Sequence, residues 1–308
     1  MMGDLFTMAL VVSALHLAVP LVLPALGGLV SERSGVMNIG LEGMMLIGAF
    51  TGTAVAFATG SAWAGLLGAV AAGLLAGALL AVLCVTLRSD QVVAATAINL
   101  LGAGLTAALI PIIWGVDGVS PSVPKLTAFE VPLLSDLPVV GVVFSELTAL
   151  DYGAVVLAFA VWWVLFRTGA GLRLRACGES PEAADSAGVP VLRTRFTAVM
   201  LSGAFAALGG VYLSLVSIGL FQASMTQGRG YLALAAMIFG KWRVWPAFAA
   251  CLLFGLADAV QLRLQIVSSL LPAELLLALP YLLALAALAT FVGRASAPAA
   301  VGRPFART

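Results

Sequence analysis

The chain has 308 residues, of which 62% are hydrophobic and 9% are charged. Soluble domains have nearer ~45–50% apolar and ~25% charged residues, so this composition excludes a soluble enzyme and a disordered protein. The formal net charge of +1 provides no basic surface for a nucleic acid. The composition favours an all-α protein that crosses a membrane many times.

Apolar runs long enough to cross a bilayer recur along the chain, since about 20 residues suffice for one crossing. We predict about nine spans, in a range of eight to ten, which form one transmembrane domain over 1–308. The predicted spans are 5–26, 36–58, 62–87, 91–113, 151–167, 196–218, 224–241, 244–262 and 272–292. The run at 224–241 is irregular, and a re-entrant segment fits it as well as a span.

Two polar stretches, 114–150 and 168–195, are predicted to be loops. Residues 167–195 carry Arg167, Arg173, Arg175, Arg193 and Arg195, whereas Lys125 is the only base in 114–150. The positive-inside rule therefore predicts that 168–195 is cytoplasmic and 114–150 extracytoplasmic. It follows that the N-terminus is outside and the C-terminus is cytoplasmic. Of the 15 basic residues, this orientation leaves outside only Lys125, Arg229 and Arg263.

Polar residues and glycines interrupt the start of the second predicted span, over 31–43. Asn38 and Glu42 are four residues apart, so we expect them to share one helical face. Gly35, Gly40 and Gly43 disfavour an unbroken helix, and broken helices at membrane depth commonly frame a substrate site. A purely structural role, in which Glu42 pairs with Arg33 or caps a neighbouring helix, fits the pattern equally.

A second interruption, over 225–231, precedes another short apolar run. Two such breaks in corresponding halves of a transporter usually indicate a site near the bilayer midplane.

Gln91 and Asn99 are further polar residues at membrane depth. The amide of Asn99 would suit either a polar solute or a neighbouring helix. Small residues at four-residue spacing, such as Gly48 with Gly52 and Gly73 with Gly77, predict close helix packing within one subunit, or else a dimer interface.

The second loop contains a predicted two-turn helix. Ser180 suits the N-cap, Pro181 the first position and Glu182 the first turn, and Gly188 ends the helix. A helix this short is marginal in water unless it docks on something, so its alanine-rich surface, with Ala183 and Ala184, indicates a groove on a soluble partner.

The sequence has no phosphate loop of the G-x-x-x-x-G-K-[ST] type. No catalytic residue, metal site or cofactor is predicted, and ATP-driven work would need a separate chain.

Residues 31–45, from Ser31 through the Asn-Ile-Gly-Leu-Glu-Gly stretch to Met45, resemble the permease subunits of bacterial ABC importers for nucleosides and simple sugars. Residues 90–100, 171–189 and 228–242 agree with this resemblance, which covers about residues 20 to 290. The Glu-Ala-Ala loop is shared with ribose and branched-chain amino-acid permeases, whereas the Asn-Ile-Gly-Leu-Glu-Gly stretch is more specific to the nucleoside branch.

The resemblance implies a multi-pass subunit of the bacterial cytoplasmic membrane, in contact with lipid. Its implied partners are a second, similar permease, ABC ATPase subunits below and a substrate-binding lipoprotein above. By the same resemblance, a coupling helix contacts the ATPase through Glu182, Ala183, Ala184 and Gly188. The residues expected along the substrate pathway are Asn38, Glu42, Gln91, Asn99, Phe221 and Tyr231, the two aromatic residues as candidates for stacking on a base. Nucleosides are the expected substrate; a simple-sugar permease and a stand-alone secondary transporter are the alternatives.

Overall fold

The computed structural model describes residues 8–129, 141–267 and 297–306, with isolated positions at 276, 278, 281, 282 and 286. Apart from two isolated bridges, the regular structure of these residues is helical, as predicted. The helices are α1 (Met8–Arg33), α2 (Leu41–Thr59), α3 (Ala62–Ala81), α4 (Gln91–Trp114), α5 (Gly141–Glu146), α6 (Ala149–Arg167), α7 (Gly169–Glu179), α8 (Pro181–Ser186), α9 (Val191–Val211), α10 (Arg229–Phe239) and α11 (Val244–Val267). Two π-helical segments, Val82–Thr86 and Tyr212–Ile218, continue α3 and α9.

In the described part, 7 helices are long and apolar enough to cross a membrane. They are α1, α2, α3 with its π segment, α4, α6, α9 with its π segment, and α11. Six of the predicted spans match these helices closely. The first helix differs, because it begins at Met8 and continues to Arg33 instead of ending near residue 26. The last predicted span, 272–292, lies outside the described residues except at isolated positions.

Local sequence explains where several helices begin and end. Asp90 caps α4 by accepting hydrogen bonds from the backbone N–H groups of Val92 and Val93. Thr148 and Asp151 form a capping box at the start of α6. Gly60 ends α2 in the left-handed region at φ +67°, a conformation that glycine adopts without strain.

Small residues bring α2, α3 and α9 into backbone contact. A Cβ added to Gly73 would lie 2.5 Å from the Gly203 carbonyl oxygen, and one added to Gly77 would lie 2.7 Å from that of Val199. Gly48 faces Ala207 in the same way. Close packing within the subunit, predicted from the glycine spacing, is therefore confirmed.

The predicted span over 224–241 is not a membrane-crossing helix. Residues 223–228 form turns, and only the 11 residues of α10 are helical. At 1.5 Å per residue α10 is about 16 Å long, roughly half of the ~30 Å hydrocarbon core. The backbone of Ala223 bonds to Gly118, whereas Trp242, just after α10, bonds to Glu32. The segment therefore runs between the two ends of the bundle, and only its second half is helical.

The two ends of the bundle carry different segments. We call the end where α1 begins the Met8 end; it also holds Gly118 and the first turn of α6. The opposite end, the Arg33 end, holds α7, α8 and the start of α9. Residues 297–306 also lie at the Arg33 end, where Ala300 N–H bonds to the Gly178 carbonyl. Besides the predicted two-turn helix, the loop 168–195 contains α7 and the start of α9, which its polar composition did not indicate.

Candidate functional site

A non-helical turn, residues 34–40, separates α1 from α2. The Ser31 hydroxyl donates to the Val36 carbonyl at 2.8 Å and closes the turn. Gly35 has φ +96°, and a Cβ there would lie 2.6 Å from the Arg195 guanidinium, so this position requires glycine. The break that the glycines predicted is therefore confirmed.

Asn38 lies in this turn, before α2 begins at Leu41. The prediction that Asn38 and Glu42 share a helical face is therefore wrong, because the helix starts three residues later than Asn38. The fully buried Asn38 amide donates to the Ser202 hydroxyl at 2.8 Å and accepts from Gly40 N–H at 3.0 Å. These bonds join the turn to α9.

Glu42, in the first turn of α2, binds the start of α10. One carboxylate oxygen accepts from the Thr226 hydroxyl at 2.6 Å and from Gly228 N–H at 2.8 Å. The other accepts from Gly230 N–H at 2.7 Å. A carboxylate at a helix N-terminus satisfies N–H groups without intrahelical partners and interacts favourably with the helix dipole. The contacts correspond to the helix-capping alternative rather than to pairing with Arg33.

Asn99 completes the junction between the two broken segments. Its side-chain oxygen accepts from Gly43 N–H at 2.8 Å, and its amide nitrogen donates to the Ile39 carbonyl and the Tyr231 hydroxyl, both at 3.0 Å. Asn99 lies eight residues into α4, about 12 Å from its start, so the junction is near mid-depth in the bundle. The Tyr231 side chain is 48% exposed beside it.

Gln91 and Phe221 lie away from this junction. The Gln91 side-chain oxygen accepts from Met37 N–H at 2.7 Å, and its buried amide nitrogen has no partner among the described residues. Phe221 is fully buried and packs edge-on against Phe50, with ring centroids 5.3 Å apart. Of the six residues predicted along the substrate pathway, the structure thus joins Asn99 and Tyr231 directly, and Glu42 reaches them through the backbone of Gly230.

The predicted loop helix is present as α8, with Pro181 at its first position and Gly188 beyond its end at φ +80°. Its two alanines face different ways. Ala183 and Glu182 are exposed, whereas Ala184 is buried against Phe305 in a small apolar cluster with Cys177 and Val191. The alanine-rich surface is therefore split between solvent and the bundle.

Arg195 was not recognised from the sequence as more than a loop charge, yet it is the largest fully buried side chain of the described part. Its guanidinium donates to the carbonyls of Ser34 at 3.1 Å, Cys177 at 3.0 Å and Arg303 at 3.0 Å. Arg195 thus joins the α1–α2 turn, the end of α7 and the C-terminal segment. Burial raises the pKa of the nearby Cys177 thiol above its ordinary value.

A second set of contacts joins the end of α1 to the end of α10. The Trp242 indole N–H donates to the buried Glu32 carboxylate at 2.6 Å. The Arg33 guanidinium donates to the Trp242 carbonyl at 2.9 Å. A Cβ on Gly178, in α7, would touch the Arg33 carbonyl, so α7 packs directly on the same end of α1. The loop helices and α10 therefore meet at one point of α1.

At the Met8 end, three polar side chains lie close together. The Tyr212 hydroxyl donates to the Asp151 carboxylate at 2.6 Å and lies 2.7 Å from His16 Nδ1. This cluster ties α1, α6 and the π segment of α9 together, so His16 is a packing residue. Among the described residues, no group of three or more His, Cys, Asp or Glu side chains could hold a metal ion.

Comparison with known proteins gives a consistent family assignment. The family described as "Branched-chain amino acid transport system / permease component" matches residues 10–292. The chain is 41% identical to the guanosine ABC transporter permease protein NupQ of Bacillus subtilis, over 96% of each chain. It is 37% identical to the nucleoside ABC transporter permease protein NupC of Lactococcus lactis, over 95% of each. It is 38% identical to the putative glucose ABC transporter permease protein TsgC13 of Haloferax volcanii, over 85% of this chain and 80% of the relative. No solved structure matches the chain significantly.

Proposed function

The chain belongs to the branched-chain amino acid transport system permease family, and from this we propose that it is the membrane subunit of an ATP-driven ABC importer for nucleosides. The observation that carries the proposal is the 41% identity to the guanosine permease NupQ along 96% of both chains. The chain is a transport subunit of the bacterial cytoplasmic membrane and not an enzyme, so another chain hydrolyses the ATP.

The Arg33 end is the cytoplasmic end in this proposal, and the ATPase docks there on α8. Glu182, Ala183 and Gly188 are exposed and form the docking surface. Ala184 faces inward and transmits force to the bundle through Phe305 and Cys177. The Met8 end, with the described part of 114–150, then receives the substrate-binding lipoprotein.

The substrate pathway passes the mid-depth junction of the two broken segments. Tyr231 contacts the solute, since its ring is half exposed while its hydroxyl is held by Asn99. Glu42 and Asn99 position the start of α10, whereas Asn38 and Gln91 hold the α1–α2 turn in place. Phe221 packs behind the pathway. A second, similar permease subunit completes the pore.

ATP binding moves α8, and the motion reaches the junction through described contacts. The end of α7 is held to the α1–α2 turn by Arg195, and the end of α1 is held to the end of α10 by Glu32 and Trp242. A rigid displacement of this unit shifts the half-length helix α10 at mid-depth, which opens the pathway alternately to either side.

Uptake of a simple sugar is the second candidate, because TsgC13 is 38% identical to the chain. Cells that carry the intact transporter should accumulate labelled guanosine, and deletion of this subunit should abolish that uptake. Excess unlabelled uridine or adenosine should compete more strongly than ribose or glucose. Sugar uptake without nucleoside uptake would replace the proposal with the second candidate.

A further inference from the structure

A cavity of about 170 Å³, lined by polar and apolar side chains, lies between α1, α10 and α11. Its polar lining residues are Gln227, Arg229, Asp258, Gln261, Gln265 and Tyr281. Asp258 lies 14 residues into α11, about 21 Å from the Arg33 end, and Gln265 lies a further two turns toward the Met8 end. The cavity therefore extends from the start of α10, at mid-depth, toward the Met8 end.

The Arg229 side chain lines this cavity, and not all of its hydrogen-bond donors have partners among the described residues. One terminal nitrogen makes two long hydrogen bonds, both of 3.4 Å, to the carbonyls of Met225 and Thr226. Its buried Nε–H has no partner among the described residues. Buried donors are nearly always satisfied in folded proteins, so the described chain does not fully hold this guanidinium, whose side chain lines the cavity.

The cavity also presents acceptors and apolar surface. The carboxylate of Asp258 lines the same cavity as the Arg229 guanidinium. The Tyr281 hydroxyl donates to the Gln227 carbonyl at 3.0 Å, which fixes its ring at the cavity wall. Leu17, Leu232 and Leu262 supply the apolar part of the lining. A flat solute with donors on one edge, acceptors on another and an apolar face would fit all these groups.

We propose that this cavity binds the guanine base of a purine nucleoside, with Asp258 and Arg229 as the residues that determine specificity. This inference rests on the proposed function and adds the substrate's base and its binding residues. Guanine carries two donors, N1–H and the 2-amino group, side by side on one edge, which a carboxylate can accept together. Its O6 and N7 acceptors are the atoms to which arginine commonly donates in pairs. Adenine has an acceptor at N1 and a donor at C6, so the carboxylate contact and the arginine contact at position 6 would be lost and only N7 would remain for Arg229.

The position of the cavity suits a first binding step within the membrane. Gln227 lies in the turn before α10 and Arg229 is its first residue, and Glu42 binds the backbone of Gly228 and Gly230 beside them. A nucleoside that enters from the Met8 end would therefore contact the same half-length helix that the ATPase end displaces. Displacement of α10 would move Arg229 away from Asp258 on α11 and release the base toward Tyr231.

The test is direct binding of labelled guanosine to the assembled permease and ATPase in lipid nanodiscs, without the substrate-binding protein. Leaving that protein out removes the other step at which a nucleoside is recognised. We expect guanosine to bind at least about 10-fold more tightly than adenosine, since a good bidentate contact discriminates between bases by roughly that much or more. Inosine, which lacks the 2-amino group, should lie between them.

Asp258→Asn should weaken guanosine binding about 10-fold and leave adenosine binding nearly unchanged, and Arg229→Lys should also reduce the preference for guanosine. The matched control is Asp90→Asn, which lies outside the cavity and keeps an N-cap side chain. Its preference for guanosine over adenosine should equal that of the wild type.

Two results would overturn the proposed guanine site while nucleoside uptake remained intact. They are equal binding of the two nucleosides by the wild type and an unchanged preference in both cavity variants. A wild-type transporter that takes up no nucleoside at all would overturn the proposed function as well.

Discussion

At the scale of single residues, the buried polar groups mainly bind backbone atoms of the chain itself. Glu42, Asn99 and Arg195 form hydrogen bonds with the backbone of seven residues: Gly228, Gly230, Gly43, Ile39, Ser34, Cys177 and Arg303. Apart from the bond to Arg303 in the C-terminal segment, each lies at a place where a helix begins, ends or is interrupted. Polar side chains at membrane depth are costly unless they are paired, and here the pairing keeps broken helices in place.

Glu42→Ala should destabilise the protein as well as reduce transport, because it removes the acceptor for three donors at the start of α10. Hydrogen bonds to a charged group each contribute about 1.5–3 kcal/mol, so the melting temperature of the purified subunit should fall measurably. Glu42→Gln should have a smaller effect, since its amide keeps one of the two oxygens. Glu182→Gln, on an exposed glutamate, is the control for stability. A Glu42→Ala protein that melts like the wild type would show that the capping contacts do not stabilise α10.

Arg195→Lys should uncouple transport from ATP hydrolysis. A single ammonium group cannot reproduce the fork with which the guanidinium reaches three carbonyls, and each buried carbonyl left unpaired costs about 1–3 kcal/mol. We expect more ATP hydrolysed per nucleoside imported, measured in proteoliposomes, because α7 is no longer fixed to the α1–α2 turn. An unchanged ratio of ATP to nucleoside would remove Arg195 from the coupling path.

At the scale of helices and turns, the sequence indicated several elements correctly for physical reasons that are local. The turn at 34–40 and the helix after Ser180 follow from glycine, proline and capping residues within a few positions of one another. Most long helices follow from uninterrupted apolar runs. The small residues at four-residue spacing likewise indicated the close contacts of α2, α3 and α9.

Other elements depend on distant parts of the chain and could not be predicted. The apolar run at 224–241 has the composition of a span, but its helix begins only at Arg229. There Glu42, some 190 residues earlier in the chain, accepts hydrogen bonds from the backbone N–H groups of Gly228 and Gly230. The four-residue spacing predicted one helical face for Asn38 and Glu42, but Asn38 lies before the start of α2. There its side chain bonds to Ser202, on the distant helix α9, and to Gly40. The inward orientation of Ala184 requires Phe305, which reaches it from the C-terminal segment.

Ala183→Trp and Ala184→Trp form a matched pair that separates docking from packing. At the exposed Ala183, tryptophan should block the ATPase and abolish transport while the subunit stays folded in the membrane. At the buried Ala184, it should overpack the cluster with Phe305, which typically costs about 1–3 kcal/mol, and lower the melting temperature. Co-purification of the ATPase measures the first effect and thermal unfolding the second. If Ala183→Trp transports normally, α8 is not the docking helix.

At the scale of the whole molecule, the two ends of the bundle differ in what they carry. The Arg33 end holds the loop helices, the buried Arg195 and the segment 297–306, whereas the Met8 end holds 115–129. The cavity lined by Arg229 and Asp258 extends from the start of α10 toward the Met8 end. Between these ends, the start of α2 after the turn at 34–40 binds the end of the turns at 223–228 through Glu42. The candidate coupling surface on α8 therefore lies at the Arg33 end, where α10 ends, and the candidate binding cavity lies where α10 begins.

The orientation of the bundle can be measured by cysteine labelling in intact cells. Lys125→Cys should react with a membrane-impermeant maleimide from outside, and Glu179→Cys only after the membrane is permeabilised. The native cysteines, Cys84, Cys177 and Cys251, are buried and should contribute little background. The raised pKa of the Cys177 thiol further lowers its reactivity at neutral pH. Labelling of Glu179→Cys in intact cells would invert the proposed topology.

The most direct measurement is guanosine import by proteoliposomes that contain this chain, its partner permease, the ATPase and the substrate-binding protein. Labelled guanosine should accumulate only when the ATPase has hydrolysable ATP, and a non-hydrolysable analogue or the Ala183→Trp variant should abolish accumulation. Guanosine uptake that continues unchanged without ATP hydrolysis would contradict the account. In that case α10 would move without any displacement of α8 by the ATPase.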